Sequence, residues 1–487
     1  MAVWRVARRM LFPTVDFAIF FLIVFSGSWL LRPHRVSWRL FILASSIYFY
    51  GYWDWRLVPL LLGTVVVNWA FGLAVHRALG PDATKTPASR ALVAAAVVVD
   101  LAVLGYFKYA GFFVDSVAER LHSLGFHLGD PTLSIVLPIG ISFFTFQAIS
   151  YVIDIGRGVW TRPVPLLDFA VYLTFFAHLV AGPIVRASEF IPQLDSVPDP
   201  RFVRSSEAFA LIFRGLFKKV VISSYMATVA DPVFNLPGQH SRWAVLWGIW
   251  AYAIQIYADF SGYTDIAIGL ALLLGIRFPQ NFDAPYRSLS FQEFWRRWHM
   301  TLSRWLRDYL YIPLGGNRGG DGFVYRNLML TMVIGGLWHG ANWTFVVWGF
   351  IQGSALVGER IIKKWWATRT PLGLPTWLVH VLQWFVTFQV VCLAWVFFRA
   401  PNFSDATEVL GRLFHGGGGS SLVTPLLMFT VVAMLASQFV PRRIPDRLTE
   451  GFGRLAPVAQ MAALGLGLVL VDALGPAGIA PFIYFRF

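Results

Sequence analysis

Long apolar runs follow one another along almost the whole chain and are separated by short polar stretches. Because ~20 apolar residues suffice for a helix to cross a bilayer, we predict an all-α polytopic membrane protein. The candidate spans are Phe12–Leu31, Leu40–Trp53, Leu57–Val75, Ala91–Phe113, Leu133–Ile155, Leu166–Val185, Phe209–Ala230, Trp243–Ile276, Asn327–Ile351, Trp377–Phe398, Leu422–Val440 and Leu455–Leu474. Some are short or interrupted, so we expect about 11 full spans and one or two partial ones.

The run Leu133–Ile155 is unusually polar for contact with lipid. It contains Pro138 and Gly140 and then several hydroxyl and amide side chains, among them Gln147. Broken or re-entrant helices of this kind occur where protein or a water-filled cavity surrounds them. We therefore predict a re-entrant or broken helix here.

The segment Phe294–Leu310 has the periodicity of a helix that lies in the membrane surface. One stripe is apolar and consists of Trp295, Trp298, Leu302, Trp305, Leu306 and Tyr309. The opposite face carries Arg296, Arg297, Arg304, Arg307 and Asp308. This pattern predicts one interfacial amphipathic helix, with His299 at the boundary between its faces. Such helices are more often membrane anchors than catalytic elements, so the anchor interpretation stays open.

Composition supports a membrane protein without a large soluble domain. Of 487 residues, 57% are hydrophobic and 14% are charged, whereas soluble proteins carry roughly 25% charged residues. The formal net charge is +14, and the basic residues lie between apolar runs. That distribution indicates cytoplasmic loops facing anionic headgroups, and not nucleic acid. The most basic stretches, Arg186–Lys219 and Arg287–Arg326, are predicted to be cytoplasmic.

Cysteine usage and the N-terminus exclude some other classes. Cys392 is the only cysteine and lies in an apolar run, so it is expected in the core or facing lipid. The N-terminus resembles a signal peptide, but its apolar run continues to Leu31, which predicts a retained first span. The Gly416–Gly419 run is expected to be a flexible loop, since it lacks the lysine of a phosphate-binding loop.

One histidine lies in the middle of an uncharged stretch, Asn327–Gly358. An ionisable group at membrane depth is costly, so His339 is a candidate functional residue, although a hydrogen-bonded structural histidine is an equal alternative. The small residues around it are Gly335, Gly336, Gly340 and Ala341, and they allow a helix or a substrate to come close. On a continuous helix, Asn342 would share the face of His339 and orient its ring.

His299 and His339 come in adjacent elements, so a connection entering the membrane from the cytoplasm could bring both onto one path. His178 lies near another span end and either lines a cavity or hydrogen-bonds across helices. The histidines are too scattered for a known zinc motif, so no metal is predicted.

Asp259 and Asp265 are the only charged residues between Trp243 and Ile276. Buried carboxylates need partners, and Gln255, one turn before Asp259, is a candidate partner. Gly262 is expected to break the run between them. A structural role is the more usual one, but a channel or proton-coupled transporter would also place carboxylates here.

Several motifs occur in one order along the chain: Pro138–Gln147, Phe175–Arg186, Asp259–Asp265, Asn281–Tyr286, Phe294–Gly316 and Gly335–Trp343, with Ala480–Phe487 at the end. Together they resemble the membrane-bound O-acyltransferase (MBOAT) family, and most closely the bacterial branch that contains the membrane subunit of alginate O-acetyltransferase. The resemblance runs from about residue 40 to the C-terminus.

The resemblance implies an MBOAT fold, a ring of transmembrane helices with re-entrant and interfacial helices around a central tunnel. It implies one membrane domain over residues 1–487, with core motifs at about residues 135–350. His339 matches the catalytic histidine of the family, and His299 matches its second functional position. The remaining candidate substrate or tunnel residues are Asn342, Trp338, Trp298, Arg296, Arg297, Asp259, Ser261, Asp265 and Gln147.

The family implies transfer of an acyl group from a cytosolic thioester to a hydroxyl. In this branch the donor is expected to be acetyl-CoA, with no bound cofactor, and the acceptor an extracytoplasmic polysaccharide or a partner protein. An esterase-like (SGNH) acetyltransferase with a Ser-His-Asp triad and polysaccharide export machinery are the expected partners, at the bacterial plasma (inner) membrane. A related branch transfers D-alanine to a cell-wall polymer. Two hypotheses from different functional classes stay open, a transporter or channel and a catalytically silent scaffold.

In the expected mechanism, Arg296 and Arg297 attract the phosphates of the donor at the cytoplasmic face. His339 is the general base for the acceptor hydroxyl, and Asn342 orients it. His299 positions the thioester or relays a proton.

Overall fold

A computed structural model describes residues 10–124, 135–180, 182–199, 203–368, 373–415, 417, 421–476 and 482–483. All regular secondary structure within these ranges is helical, which confirms the predicted all-α class. The chain divides into two compact units. Unit 1 comprises Met1–Ile212 and Ile266–Pro279, and unit 2 comprises Phe213–Asp265 and Gln280–Phe487. The predicted ring, tunnel and single domain remain predictions.

The units alternate along the chain, with boundaries after Ile212, Asp265 and Pro279. The first eleven helices are α1 (Val15–Leu31), α2 (Arg35–Asp54), α3 (Val58–Ala78), α4 (Pro87–Ser123), α5 (Ile141–Gly156), α6 (Leu166–Thr174), α7 (Phe176–Leu179), α8 (Ala187–Phe190), α9 (Ser205–Leu216), α10 (Ser224–Asn235) and α11 (Arg242–Leu273). The others are α12 (Phe291–Arg297), α13 (Met300–Leu306), α14 (Asp321–His339), α15 (Trp343–Trp366), α16 (Thr376–Arg399), α17 (Phe403–His415), α18 (Pro425–Ser437), α19 (Arg443–Gly453) and α20 (Pro457–Leu474).

Short helices of other types join these elements. Segments of 3-10 helix are Trp55–Leu57, Pro81–Ala83, Ile191–Leu194, Pro237–Gln239 and Pro285–Arg287. A π-helical segment, Phe217–Ser223, makes α9 and α10 one continuous helical run, and a second one, Arg307–Tyr311, follows α13. The run from α9 to α10 covers the predicted span Phe209–Ala230.

Five helical segments in the described ranges are long and apolar enough to cross a membrane: Arg35–Ala78, Pro87–Ser123, Trp343–Trp366, Thr376–Arg399 and Pro457–Leu474. Shorter apolar helices are Val15–Leu31, Ile141–Gly156 and Pro425–Ser437. A polytopic membrane protein is therefore confirmed, whereas the exact number of spans stays a prediction. Cys392 is buried in α16, which favours the core position over the lipid-facing one of the two that were predicted.

The core of unit 1 near its N-terminus is aromatic. The ring of Phe176 lies 5.4 Å from that of Phe20 and 6.0 Å from that of Phe49. Helix α5 is buried along almost its whole length, as expected for a polar helix that is surrounded by protein. Its N-cap, Gly140, has φ 74°, and a Cβ there would lie 2.2 Å from the carbonyl oxygen of Leu179. Leu133, where this span was predicted to begin, lies outside the described ranges.

Three expectations about continuous spans are wrong. Leu166–Val185 is not one helix, since Phe175 separates α6 from α7 and Pro183 disfavours helix at the preceding residue. Asn327–Ile351 is divided between α14 and α15. Gly262 does not break its run, because α11 is helical through it. A Cβ at Gly262 would lie 2.8 Å from the carbonyl oxygen of Gly215, so this glycine permits close helix packing within unit 2.

Other expectations fall largely or wholly outside the described ranges. These are the basic N-terminal segment, most of the glycine run Gly416–Gly419, and most of the terminal motif Ala480–Phe487, of which only Phe482 and Ile483 are described.

Candidate active site

His339 is the last residue of α14 and is 5% exposed. Its ring lies among three aromatic side chains, with centroid distances of 4.9 Å to Trp338, 5.0 Å to Trp348 and 5.1 Å to Phe398. Trp348 belongs to α15 and Phe398 to α16. The imidazole is thus held at a helix end inside an apolar enclosure that limits access of water.

The hairpin of α14 and α15 is tight because glycines line its contact. A Cβ at Gly336 would lie 2.2 Å from the carbonyl oxygen of Phe345, and one at Gly349 would lie 2.4 Å from that of Met332. A Cβ at Gly340 would lie 2.0 Å from the ring of Phe345. The prediction that small residues near His339 allow another helix to approach is confirmed.

The expectation that Asn342 shares a helix with His339 is wrong. Gly340 is extended, with φ −161° and ψ 151°, and Asn342 is the N-cap of α15. Its Oδ1 accepts a hydrogen bond from the backbone N–H of Thr344 at 3.0 Å, and its Nδ2 donates to the carbonyl oxygen of Pro401 at 2.7 Å. Both ends of the amide are therefore used in the fold, and Asn342 starts a helix where asparagine is a preferred cap.

The predicted interfacial helix is two helices, α12 and α13, with a break at Trp298 and His299. The predicted apolar stripe is buried, and Arg296 and Arg307 on the opposite face are exposed. His299 has φ 41° and ψ 54° and is fully buried, so its expected position at the boundary between faces is wrong. On a continuous helix, His299 would lie at the boundary between the apolar and polar faces. With its left-handed backbone, the side chain is instead buried.

Hydrogen bonds define the tautomer of His299. Its Nδ1 lies 3.2 Å from Oδ1 of Asn281, and the same oxygen accepts hydrogen bonds from the backbone N–H and the hydroxyl of Thr301, at 3.2 and 2.9 Å. A carboxamide oxygen only accepts, so Nδ1 donates and Nε2 carries the lone pair. Nε2 is buried and has no hydrogen-bond partner within the described ranges. Burial also lowers the pKa of His299 to about 3, which keeps the ring neutral at physiological pH.

Trp338 connects the two histidines. Its ring centroid lies 6.3 Å from that of His299 and 4.9 Å from that of His339. A second connection runs from Trp298 to Trp395 at 4.9 Å and on to Trp348 at 6.1 Å. The expectation that the histidines of successive elements come together is met. We call this group the histidine cluster: His299, His339, Trp298, Trp338, Trp348, Trp395 and Phe398.

The two arginines expected at the donor site differ. Arg297 lies 2.8 Å from Oε1 of Glu293 through Nη2, and 2.9 Å from Oδ2 of Asp283 through Nη1. Arg296 is exposed. Arg297 therefore holds α12 to the preceding loop, and Arg296 is the better placed of the two to meet an anionic ligand in solution.

Asp259 and Asp265 are buried carboxylates, also in unit 2, and lie in a network of charged side chains. Lys219 pairs with Oδ1 of Asp259, and the backbone N–H of Ile483 donates to Oδ2 at 2.8 Å. Lys218 lies 2.6 Å from Oδ2 of Asp265 and donates to the hydroxyl of Ser261 at 2.9 Å.

Arg214 completes this network with two hydrogen bonds to Asp265, at 2.8 and 3.0 Å. We call the group the ion-pair cluster: Arg214, Lys218, Lys219, Asp259, Ser261 and Asp265. Gln255 is not the partner of Asp259, because Lys219 and Ser223 occupy its Oδ1. Lys218 and Lys219 lie at the end of the basic stretch Arg186–Lys219, which was predicted to be cytoplasmic. Instead of facing solvent, they pair with carboxylates inside the protein.

Gln147 and His178 belong to unit 1. Gln147 is buried in α5, and its Nε2 lies 3.5 Å from the carbonyl oxygen of Val185. His178 is also buried, and its Nε2 donates to the carbonyl oxygen of Tyr172 at 2.8 Å. For His178 the structure thus favours the hydrogen-bonded role over a cavity-lining one.

Sequence reasoning missed seven contributors to these clusters, namely Asn281, Arg214, Lys218, Lys219, Trp348, Trp395 and Phe398. Asn281 stands in the motif Asn281–Tyr286 but had no assigned role, and Lys218 and Lys219 were counted as surface charges. The sequence did not distinguish Trp348 from the many other aromatic residues of the chain. Only for Asn281 did the sequence offer a usable signal, because its motif directly precedes the segment that contains His299. Among the described residues no group of three metal-binding side chains occurs, and the absence of a metal stays a prediction.

Known proteins are similar to this chain over most of its length. A family model described as MBOAT, membrane-bound O-acyltransferase family, matches residues 161–398. A "Probable alginate O-acetylase AlgI" of Pseudomonas putida is 38% identical over 98% of this chain and 100% of its own. The peptidoglycan O-acetyltransferase of Helicobacter pylori is 38% identical over 93% of this chain and 88% of its own.

A more distant relative, the teichoic acid D-alanyltransferase of Streptococcus thermophilus, is 29% identical over 55% of this chain and 69% of its own. Two relatives that match more than nine tenths of this chain are thus named for O-acetylation, and the transporter hypothesis is not favoured. The chain belongs to the membrane-bound O-acyltransferase family and is a membrane O-acyltransferase.

Proposed function

We propose that this enzyme transfers an acetyl group from cytosolic acetyl-CoA to a hydroxyl of an extracytoplasmic polysaccharide, or of a partner protein that passes it on. The supporting observation is the histidine cluster, in which two buried histidines contact one tryptophan at the end of α14. The relatives named for alginate and peptidoglycan acetylation support a polymer acceptor. The site is proposed to lie in the bacterial plasma membrane.

His339 is the proposed general base. It takes the proton of the acceptor hydroxyl while the oxygen attacks the thioester carbonyl, and it returns that proton to the thiolate when the C–S bond breaks. Proton transfer of this kind typically contributes ~10²–10⁴-fold in rate. The aromatic side chains around His339 keep water from competing for the acyl group.

His299 is proposed to act through Nε2. In its neutral form this nitrogen accepts a hydrogen bond and cannot donate one to a thioester carbonyl. The tautomer therefore supports contact with the hydroxyl proton, as in a proton relay, and argues against direct binding of the thioester oxygen.

The donor is proposed to approach from the cytoplasm, with its phosphates near Arg296. Arg297 is excluded from that role because its guanidinium already pairs with Asp283 and Glu293. An esterase-like partner with a Ser-His-Asp triad and polysaccharide export machinery are proposed to complete the transfer outside. Transfer of D-alanine is less supported, because that relative matches little more than half of this chain.

The test is ester-linked acetate on extracellular polysaccharide in cells that carry His339→Ala, compared with wild type at equal membrane abundance. We expect acetate to be lost while the polymer is still exported. His380→Ala is the matched control, because His380 is an exposed histidine on the membrane-spanning α16 and should leave acetate unchanged. Normal acetylation in the His339→Ala strain would overturn the proposal for that polymer.

A further inference from the structure

Two buried hydrogen-bond donors lie one turn apart on α15, and the first of them, Trp348, packs against His339. Trp348 and Gln352 are each 1% exposed. Positions four apart lie on the same face of a helix, about 6 Å from each other along its axis. The ring of Trp348 lies 5.0 Å from that of His339, so this face of α15 borders the general base.

Neither donor has an acceptor in the part of the chain that the structure describes. Nε1 of Trp348 and Nε2 of Gln352 are both buried and make no hydrogen bond there. The great majority of buried polar groups in proteins are paired, and burying one without a partner is costly. Two such donors on the helix face that borders the proposed general base indicate that the acceptor is a ligand.

Trp295 fixes the orientation of both groups. Its Nε1 donates to Oε1 of Gln352 at 3.2 Å, and its ring packs edge-on against that of Trp348 with centroids 5.8 Å apart. Because the oxygen of the amide is held by Trp295, the NH2 group of Gln352 is directed away from that bond as a donor. The pair is therefore preorganised before a substrate arrives.

We propose that Trp348 and Gln352 bind the carbonyl oxygen of the acyl thioester through their side-chain N–H groups. This assignment rests on the proposed function. When the acceptor oxygen forms its bond to the carbonyl carbon, the C=O electron pair moves onto that oxygen, and the two N–H groups stabilise the negative charge. When this electron pair returns and the C=O double bond re-forms, the C–S bond breaks. The thiolate then leaves with the proton held by His339.

The arrangement explains why these donors are neutral and enclosed. Donors that are aimed in advance at a developing oxyanion are worth most where water is excluded, since they need no reorganisation during the reaction. A carbonyl oxygen has two lone pairs and accepts two such hydrogen bonds.

The experiment uses the whole chain in lipid nanodiscs with two ligands, acetyl-CoA and its thioether analogue S-ethyl-CoA, which lacks the carbonyl oxygen. Trp348→Phe removes one N–H and keeps an aromatic ring. Gln352→Glu removes the NH2 group and keeps an oxygen for Trp295. Each variant should lower kcat for acetyl transfer by ~10²-fold, weaken binding of acetyl-CoA, and leave binding of S-ethyl-CoA unchanged.

Trp250→Phe is the matched control, because Nε1 of Trp250 already donates to Oε1 of Gln389 at 3.3 Å. It should leave kcat and both affinities at wild-type values. If Trp348→Phe and Gln352→Glu retain wild-type kcat, or if they weaken both ligands equally, the assignment is overturned. If instead the wild-type enzyme binds acetyl-CoA but transfers no acetyl group, the proposed function fails, which is a separate result.

Discussion

The ion-pair cluster and the histidine cluster both bury polar side chains in unit 2, but they differ in how these are partnered. Each carboxylate oxygen of Asp259 and Asp265 receives at least one hydrogen bond or ion pair from the protein. In the histidine cluster, by contrast, Nε2 of His299 and Nε1 of Trp348 are buried without a partner in the described ranges. The first arrangement is what stability requires, and the second is what a substrate site requires.

Burial of charge alone therefore does not identify a catalytic residue. By sequence, Asp259 and Asp265 were as conspicuous as the histidines, since each interrupts an apolar run. Their cationic partners come from α9 and the π-helical segment after it, and the backbone N–H of Ile483 adds a further hydrogen bond. The fold thus explains these carboxylates without a ligand, whereas it leaves the histidine cluster incomplete.

The largest effect is expected from a substitution that breaks the ion-pair cluster. Lys219→Met leaves the carboxylate of Asp259 buried without its cation, and loss of one partner of a buried pair typically costs ~3–5 kcal/mol. We expect a matching fall in the free energy of unfolding in detergent and in membrane abundance. The double variant Lys219→Met with Asp259→Leu should recover much of the loss. Unchanged stability of the single variant would contradict a structural role.

A smaller effect, for each pH unit, is expected on the free energy of unfolding when the pH is lowered, and it depends on His299 in the histidine cluster. Burial lowers the pKa of His299 to about 3, whereas an unfolded histidine titrates near ~6.5. The unfolded chain therefore takes up a proton below pH ~6.5 that the folded protein does not, so stability falls with acid in that window by about 1.4 kcal/mol per pH unit.

His299→Gln should remove this component, so its free energy of unfolding should depend less steeply on pH between about 6.5 and 3. Acetyl transfer should fall at neutral pH in the same variant, although its stability there is retained. If wild type and His299→Gln lose stability in parallel as the pH falls, His299 is not buried in its neutral form.

The smallest effect is expected at the exposed Arg296 of α12. Arg296→Ala should raise KM for acetyl-CoA by roughly two- to fivefold, and the difference should shrink at high salt, as for an exposed ion pair. Arg297→Ala is the matched comparison, because its partners Asp283 and Glu293 lie within the protein. We expect that variant to lose stability with little change in KM. A salt-dependent change in KM for Arg297→Ala alone would reverse the assignment.

The sequence alone determined the all-α membrane class, the family and the two histidines. Apolar runs of bilayer length specify spanning helices whatever their neighbours are, because the bilayer core leaves backbone polar groups no other partner. The buried stripe of α12 and α13 was also predictable, since helical periodicity is local information. The N-cap at Asn342 was missed although Asn before Trp343 and Thr344 is a recognisable start of a helix.

Tertiary contacts, by contrast, set which polar side chains have hydrogen-bond partners and which remain available to a ligand. The left-handed backbone of His299, the capping role of Asn342 and the pairing of Lys219 with Asp259 all depend on contacts between segments that are distant in the chain. Side-chain hydrogen bonds are directional and short, so a helical pattern specifies the face a residue occupies but not the atom it meets. For that reason the sequence pointed to His339, and the fold was needed to find Trp348 beside it and Gln352 one turn farther along α15.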